Sequence, residues 1–218
     1  MTPRSIISLL AASAAFVASA DAALIAQFNS VFVTPGADNI PAADYADHLT
    51  VTDLAPSHDD IDRVGGAANY DGWGSTVDAT RYVGFKISVD AGYQLNLTDL
   101  AFRSAATVSP LVTSYVWGMR VDNGSGFGAW SFGKTYTSAD ADFALIGFQN
   151  VKSWDFADIT VTGTVEFGIF ATASDPSHMI EIIRSNSTIV NGTVTQVPEP
   201  SAALLGFVGC LACLRRRR

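Results

Sequence analysis

Apolar and polar residues alternate along the middle of the chain with a two-residue period. This period is typical of β-strands that bury one face and expose the other. Three segments carry it most clearly, RYVGFKISV (81–89), SYVWGMRV (114–121) and ITVTGTVEFGIFA (159–171). The residues predicted to face the core are Val83, Phe85, Ile87, Val89, Tyr115, Trp117, Met119, Val121, Ile159, Val161, Val165, Phe167, Ile169 and Ala171.

The alternation changes parity in one place. Leu95 and Leu97 occupy one parity and Leu100 and Phe102 the other, which predicts a turn or a β-bulge around Asp99. The pattern favours an all-β fold, a single antiparallel β-sandwich of about eight to ten strands, because turn-forming pairs separate the segments and no helical period is sustained after the N-terminus. Further strands are predicted at 24–33, 48–54, 143–149, 178–184 and 187–196.

The N-terminus has the order of a secretory signal peptide. Arg4 supplies a short basic region, residues 6–18 are apolar, and small residues follow. Two Ala-x-Ala sequences, at 18–20 and 20–22, fit the cleavage pattern, and we predict cleavage after residue 22. A buried helix or a permanent membrane anchor is the alternative for residues 1–22, although the apolar run is short for a membrane span.

The C-terminus is a second apolar segment with a basic end, VPEPSAALLGFVGCLACLRRRR. Residues 201–214 are all apolar or small, and as a helix they would be about 21 Å long, short of the ~30 Å hydrocarbon core of a bilayer. Thinning of the bilayer or snorkelling of the arginines closes that gap. The arginines favour the cytoplasmic side, as Arg4 does, so the body between the two ends is expected on the outside. The basic stop-transfer residues are Arg215, Arg216, Arg217 and Arg218.

This tail resembles the PEP-CTERM sorting signal of Gram-negative bacteria. The resemblance rests on Pro198, Glu199 and Pro200, followed by a short apolar segment and a terminal arginine cluster. It implies a helix that anchors the chain transiently in the inner membrane and an exosortase-type protease that cleaves near the motif. Residues 197–218 would then be the sorting signal and 23–196 the β-sandwich domain. An ordinary single-span C-terminal anchor is the alternative.

Charge excludes some partners for the body. Residues 23–196 contain 19 acidic and 8 basic residues, a net charge of about −11, with no basic patch. This charge disfavours nucleic acid and anionic membrane surfaces. Both cysteines, Cys210 and Cys213, lie in the tail, so the core of the body must be hydrophobic rather than disulfide-linked.

The body resembles, at the level of pattern, the jelly-roll sandwiches that precede PEP-CTERM tails. The segments that carry the resemblance are AANYDGWG (67–74), TRYVGFKISVDAGYQLNLTDLAFRS (80–104) and YVWGMRVDNGSGFGAWSFG (115–133). It implies a jelly-roll-like fold and, for function, an analogy with carbohydrate-binding sandwiches.

No sequence motif with a catalytic mechanism is present. The three histidines are not paired at metal-binding spacing, and there is no nucleophile elbow or phosphate loop. A glycosidase needs two opposed carboxylates, but Glu166 lies on the polar parity of its strand and is expected to face solvent. The prediction is therefore that the protein is not an enzyme and needs no cofactor, with a hydrolase whose carboxylate site is unrecognised as the alternative.

Two groups of residues are candidates for binding. The segment 38–62 is rich in aspartate, and Asp59, Asp60 and Asp62 are weak candidates for a structural Ca²⁺ site. An acidic solvated loop is the alternative reading of the same residues.

Aromatic residues in glycine- and aspartate-rich turns are the second group. Trp73 and Trp130 are the candidates for a glycan platform, because exposed rings can stack on the C–H face of a sugar. Packing of these rings in the core or at its edge is the alternative. Taken together, the sequence predicts an exported cell-surface or extracellular-matrix protein whose partners are the secretion machinery, an exosortase and an exopolysaccharide.

Overall fold

A computed structural model describes residues 23–28, 39–62, 68–106, 112–141, 143, 151–175, 180–183 and 188–197. The predicted signal helix, the sorting motif Pro198–Pro200 and the predicted transmembrane helix lie outside these residues. Within the described part of the chain, no helix is long and apolar enough to span a membrane.

The described residues form β-strands joined by turns and loops. In chain order the strands are β1 (Ala23–Phe28), β2 (Ala42–Tyr45), β3 (Leu49–Val51), β4 (Ala55–Pro56), β5 (Ala68–Tyr70), β6 (Val83–Val89), β7 (Tyr93–Phe102), β8 (Ala105–Ala106), β9 (Val112–Asp122), β10 (Ser131–Phe132), β11 (Tyr136–Thr137), β12 (Lys152–Val161), β13 (Thr164–Ala173), β14 (Ile180–Ile183) and β15 (Thr188–Gln196).

The strands pair antiparallel into two large sheets and one small one. The first has the order β12-β7-β15-β1-β2, and the second has the order β10-β9-β13-β6-β3, with β4 also on β6 and β11 also on β9. The small sheet has the order β5-β14-β8. The prediction of an all-β antiparallel fold is therefore confirmed.

The core lies between the two large sheets, where aromatic rings of one sheet contact those of the other. Phe28 of β1 packs against Phe85 of β6 with ring centroids 4.4 Å apart, and Phe102 of β7 lies 5.8 Å from Trp117 of β9. Every residue predicted to face the core is buried or packed against it. Alternation identified these faces correctly because each strand turns one parity towards the opposite sheet.

The long run at 159–171 is two strands rather than one. Residues 162–163 form a turn at which the chain passes from β12 in the first sheet to β13 in the second. The odd-numbered residues face the core on both sides of the turn, as Val161 of β12 and Val165 of β13 do. The alternation therefore continues although the chain changes sheets. A Cβ on Gly163 would lie 2.2 Å from the backbone oxygen of Asp122, so the crossing requires glycine.

The parity change in β7 is a bulge within one continuous strand. Asn191 of β15 pairs with Asp99 and Gly192 pairs with Leu97, which leaves Thr98 as the extra residue. Leu95, Leu97 and Leu100 are all fully buried. The bulge re-aims the second half of β7 so that both parities reach the core.

Candidate functional site

The outer face of the second sheet, turned away from the core, carries an unusual row of glycines. Gly168 of β13 pairs with Gly84 of β6 on one side and with Gly118 of β9 on the other. A Cβ on Gly168 would lie 2.8 Å from the ring of Tyr82, and one on Gly118 would lie 2.9 Å from the ring of Phe132. These positions lack side chains because aromatic rings lie directly on the backbone.

Four rings cover this row and form what we call the outer aromatic cluster, made of Tyr82, Trp130, Phe132 and Phe170. The centroid of Trp130 lies 5.0 Å from that of Tyr82 and 4.9 Å from that of Phe170, in edge-to-face arrangements. Phe132 contacts Phe170 in the same manner at 5.3 Å. Such contacts stabilise a ring cluster beyond the area that it buries. The outer face is therefore partly covered by protein rather than by water.

Glu166 lies beside this cluster and is 3% exposed. Its Oε1 accepts a hydrogen bond from the Tyr82 hydroxyl at 2.7 Å, and its Oε2 accepts one from Nε of Arg120 at 2.5 Å. Nη2 of Arg120 also lies 2.5 Å from Oε2, as an ion pair. The Lys86 ammonium lies 3.6 Å from Oε1. The expectation that Glu166 faces solvent is wrong, because the aromatic cluster shields its side of the strand. A carboxylate buried to this degree requires such partners.

Arg120 lies between two aromatic rings. Its guanidinium carbon is 4.7 Å from the ring centroid of Phe127 and 4.6 Å from that of Trp130, which are cation–π distances. The stacked guanidinium therefore holds Glu166 and the loop bearing Phe127 and Trp130 in one arrangement. The charge of Arg120 is neutralised within this arrangement by the carboxylate.

A cavity of about 510 Å³, which we call the edge cavity, opens next to Glu166. Tyr82, Gly84 and Phe85 are among the residues that line it. The volume is in the range of about 300–1,000 Å³ typical of small-molecule sites. The polar residues that line it are Asn39, Thr52, Asp53, Ser57, Lys86 and Glu166.

A backbone bridge positions two of these residues at the rim. Ile40 and Leu54 exchange backbone hydrogen bonds of 2.8 Å, and both side chains are fully buried. Their chain neighbours Asn39 and Asp53 consequently point outwards and are exposed. Within the part of the chain that the structure describes, neither of these two side chains makes a hydrogen bond or an ion pair.

Two hydroxyl groups among the lining residues fix the segment that carries Asp53. Ser57 Oγ accepts the backbone N–H of Tyr82 and lies 2.8 Å from the carbonyl oxygens of Thr80 and Tyr82. Thr52 Oγ1 accepts the backbone N–H of Lys86 at 2.9 Å. These hydroxyls attach the segment 52–57 to β6, so the rim is held in place by backbone contacts.

The pKa of Tyr82 is displaced by its surroundings. Burial, together with the hydrogen bond to the Glu166 carboxylate and the charge of that carboxylate, raises the pKa of the Tyr82 phenol from its ordinary value of 10.0 to about 12. The phenol is therefore held neutral, as a hydrogen-bond donor to Glu166, well into alkaline solution.

This displacement predicts an alkaline loss of stability. Because the phenol has a higher pKa in the folded chain than in the unfolded chain, its contribution is fully present below about pH 10 and disappears as the pH rises to about 12. Urea unfolding across this window should show a steeper fall in the free energy of unfolding for the natural protein than for Tyr82→Phe. Equal slopes in the two proteins would contradict the shielding of Tyr82.

The predicted glycan platform is not assembled. Trp73 is 2% exposed in the core, and its indole N–H donates to the Tyr70 carbonyl at 2.8 Å. The prediction that Trp73 presents a ring face to a glycan is wrong, because the turn that carries it folds against the core. Trp130 lies at the surface layer with one face against Arg120, and its role in glycan binding stays a prediction.

The three candidate calcium ligands are not brought together. The Asp60 carboxylate lies 3.1 Å from Arg81, which supplies the positive charge that a cation would otherwise provide. Asp62 lies near Asp71, and burial together with the charge of Asp62 raises the pKa of the Asp71 carboxyl. Among the described residues, no three His, Cys, Asp or Glu side chains are grouped to hold a metal ion.

Sequence reasoning missed the residues around Glu166. A signal was present, since Gly84, Gly118 and Gly168 each interrupt the middle of a predicted strand next to a large apolar residue. Glycine at such a position marks a bulge or a close approach to the backbone. Tyr82 and Phe170 are aromatic and lie on the outward parity of their strands. They indicated that aromatic rings cover the backbone at these glycines.

The chain was compared with protein families, curated proteins and solved structures. No protein-family model matches the chain, and no curated protein matches it. Among solved structures, the chain is similar to CBM32-3 from a family 31 glycoside hydrolase of Clostridium perfringens. The two are 14% identical, the match covers 67% of this chain and 92% of the other, and the TM-score is 0.32. This degree of similarity assigns no function to the chain.

Proposed function

We propose that this chain is an exported, non-catalytic protein of the cell surface or extracellular matrix, associated with exopolysaccharide. Its tail is a PEP-CTERM sorting signal that anchors it transiently in the inner membrane of a Gram-negative bacterium. An exosortase-type protease cleaves near Pro198, Glu199 and Pro200. The body, a jelly-roll-like sandwich, is then released to the surface or the medium.

The observation that carries the proposal is the position of the two ends of the folded body. β1 is the first strand of the described chain, and it pairs antiparallel with β15, with Ala23 opposite Gly192. After β15, the backbone N–H of Val197 donates to the carbonyl of Gly92 at 2.8 Å. The N-terminal end of β1 and the C-terminal end of β15 therefore lie at the same end of one sheet, an arrangement that supports attachment of the body to one membrane through both ends.

The state of Glu166 supports the non-catalytic part of the proposal. A general acid must be protonated when it acts and must reach the reacting oxygen. Glu166 instead directs Oε2 to the Arg120 guanidinium and Oε1 to the Tyr82 hydroxyl. Both oxygens are thus engaged in holding the outer face together.

A carbohydrate-active hydrolase is the second candidate, and one observation favours it. Asp53 and Glu166 line the same cavity, and glycoside hydrolysis uses a pair of carboxylates. Release of reducing ends from host exopolysaccharide, abolished by both Asp53→Asn and Glu166→Gln, would establish the hydrolase. We expect no release above that of a heat-treated sample.

Two-ended processing is the central prediction of the proposal. Protein recovered from the surface and medium of its own host should have an intact mass that begins near Ala23 and ends between Pro198 and Pro200. Replacement of these three motif residues by alanine should leave the chain in the membrane fraction, whereas the neighbouring Ser201→Ala change should not. A recovered chain that retains the terminal arginines would indicate an ordinary membrane anchor.

A further inference from the structure

We infer that the edge cavity binds a neutral sugar ring of an extracellular polysaccharide. This inference rests on the proposed association with exopolysaccharide and assigns it to a site and a ligand class. The site is separate from both tryptophans that the sequence suggested, since neither Trp73 nor Trp130 lines the cavity.

The charges around the cavity favour a ligand without net charge. The Glu166 carboxylate is neutralised by Arg120, which leaves the Lys86 ammonium and the Asp53 carboxylate as the opposite charges of the lining. An anionic ligand would be repelled by the Asp53 carboxylate, and a cationic ligand would be repelled by the Lys86 ammonium. A hydroxyl group can accept a hydrogen bond from an ammonium and donate one to a carboxylate, so a ring with several hydroxyls satisfies both.

Two of the side chains that line the cavity have free hydrogen-bonding groups. Asn39 and Asp53 lack partners within the described residues, and they stand on either side of the buried Ile40–Leu54 bridge. The amide of Asn39 offers a donor and an acceptor, and the carboxylate of Asp53 offers two acceptors. Because the bridge fixes both backbones, little ordering of the site is needed on binding.

The lining of the cavity includes an aromatic ring, which suits the apolar face of a sugar. This ring belongs to Tyr82, and Gly84 lines the cavity beside it. A Cβ at Gly84 would lie 3.0 Å from the Tyr82 ring and 2.1 Å from the Phe167 oxygen, so the close packing of Tyr82 at this position requires glycine. Sites of this kind combine an aromatic surface with a few polar groups that fix the orientation of the ligand.

The test compares Asp53→Ala with Asp44→Ala in protein recovered from the host surface. Both aspartates are exposed and without an ion pair among the described residues, but Asp44 lies on β2 in the other sheet. The probes are methyl glycosides of glucose, galactose and mannose, the corresponding methyl uronates, and glycine as a small zwitterion. Saturation-transfer NMR detects binding, calorimetry measures affinity, and far-UV circular dichroism checks that each variant is folded.

The expected result is binding of at least one neutral glycoside, weakened about tenfold or more by Asp53→Ala and unchanged by Asp44→Ala. Preference for uronates or glycine would overturn the ligand class. Neutral binding that both variants retain would overturn the site while leaving the association with polysaccharide intact. Absence of binding to every glycoside, in protein whose mass shows two-ended processing, would overturn the inference and the association but not the sorting.

Discussion

Replacement of Trp73 by alanine should lower the free energy of unfolding by about 3–5 kcal/mol, the range for truncating a buried tryptophan. The ring is 2% exposed, and the substitution removes both its packing and its hydrogen bond to the Tyr70 carbonyl. The neighbouring backbone cannot refill the space, because Gly72 has a φ of 81° and a Cβ there would lie 1.7 Å from the Asp60 oxygen. Urea unfolding followed by tryptophan fluorescence and circular dichroism measures the effect.

Tyr45→Ala is the matched control, since this aromatic side chain is 50% exposed on the strand β2. Its effect should stay within about 0.5 kcal/mol, as for surface substitutions away from packed features. If the Trp73→Ala variant had the same free energy of unfolding as the natural protein, the ring would have to lie at the surface. Trp73 would then again be a candidate for glycan binding.

Replacement of Glu166 by glutamine should cost about 3 kcal/mol, at the lower end of the range for removing one partner of a buried ion pair. The amide keeps the shape of the side chain but leaves the Arg120 guanidinium, 26% exposed and enclosed by Phe127 and Trp130, without its countercharge. The lower end applies because Arg120 keeps some contact with water.

The control for this change is Asp60→Asn, which also removes a carboxylate paired with an arginine. Asp60 is 65% exposed, and surface pairs of this kind contribute about 0–1 kcal/mol. A Glu166→Gln variant no less stable than Asp60→Asn would falsify the view that Glu166 holds the outer face together. Double replacement of Glu166 and Arg120 by apolar residues of similar size should recover part of the loss.

The inner faces of the strands could be predicted from sequence because their signal is local. Val165, Phe167 and Ile169 alternate with non-core positions, and all three are fully buried. The passage of the chain between sheets at Gly163 could not be predicted in the same way, since alternation records only which side of a strand is apolar. It does not record which sheet contains the strand.

The outer face could not be predicted because its cover comes from elsewhere in the chain. Glu166 is polar and on the outward parity, which is typical of a solvated side chain. The rings that bury it come from Tyr82 and from the loop with Phe127 and Trp130, at least 36 residues away in sequence. Trp73 shows the opposite error, since its glycine-rich surroundings indicated an exposed turn whereas the turn folds inwards.

The pairing of β1 with β15 has a consequence for the order of folding. These are the first and last strands of the described chain, and β15 also separates β7 from β1 within its sheet. Until residues 188–196 are in place, the sheet is divided into two halves with unpaired edges. Contacts between such distant segments form slowly, because the whole intervening chain must be closed into a loop. During synthesis the body therefore completes its fold only after its last strand has emerged.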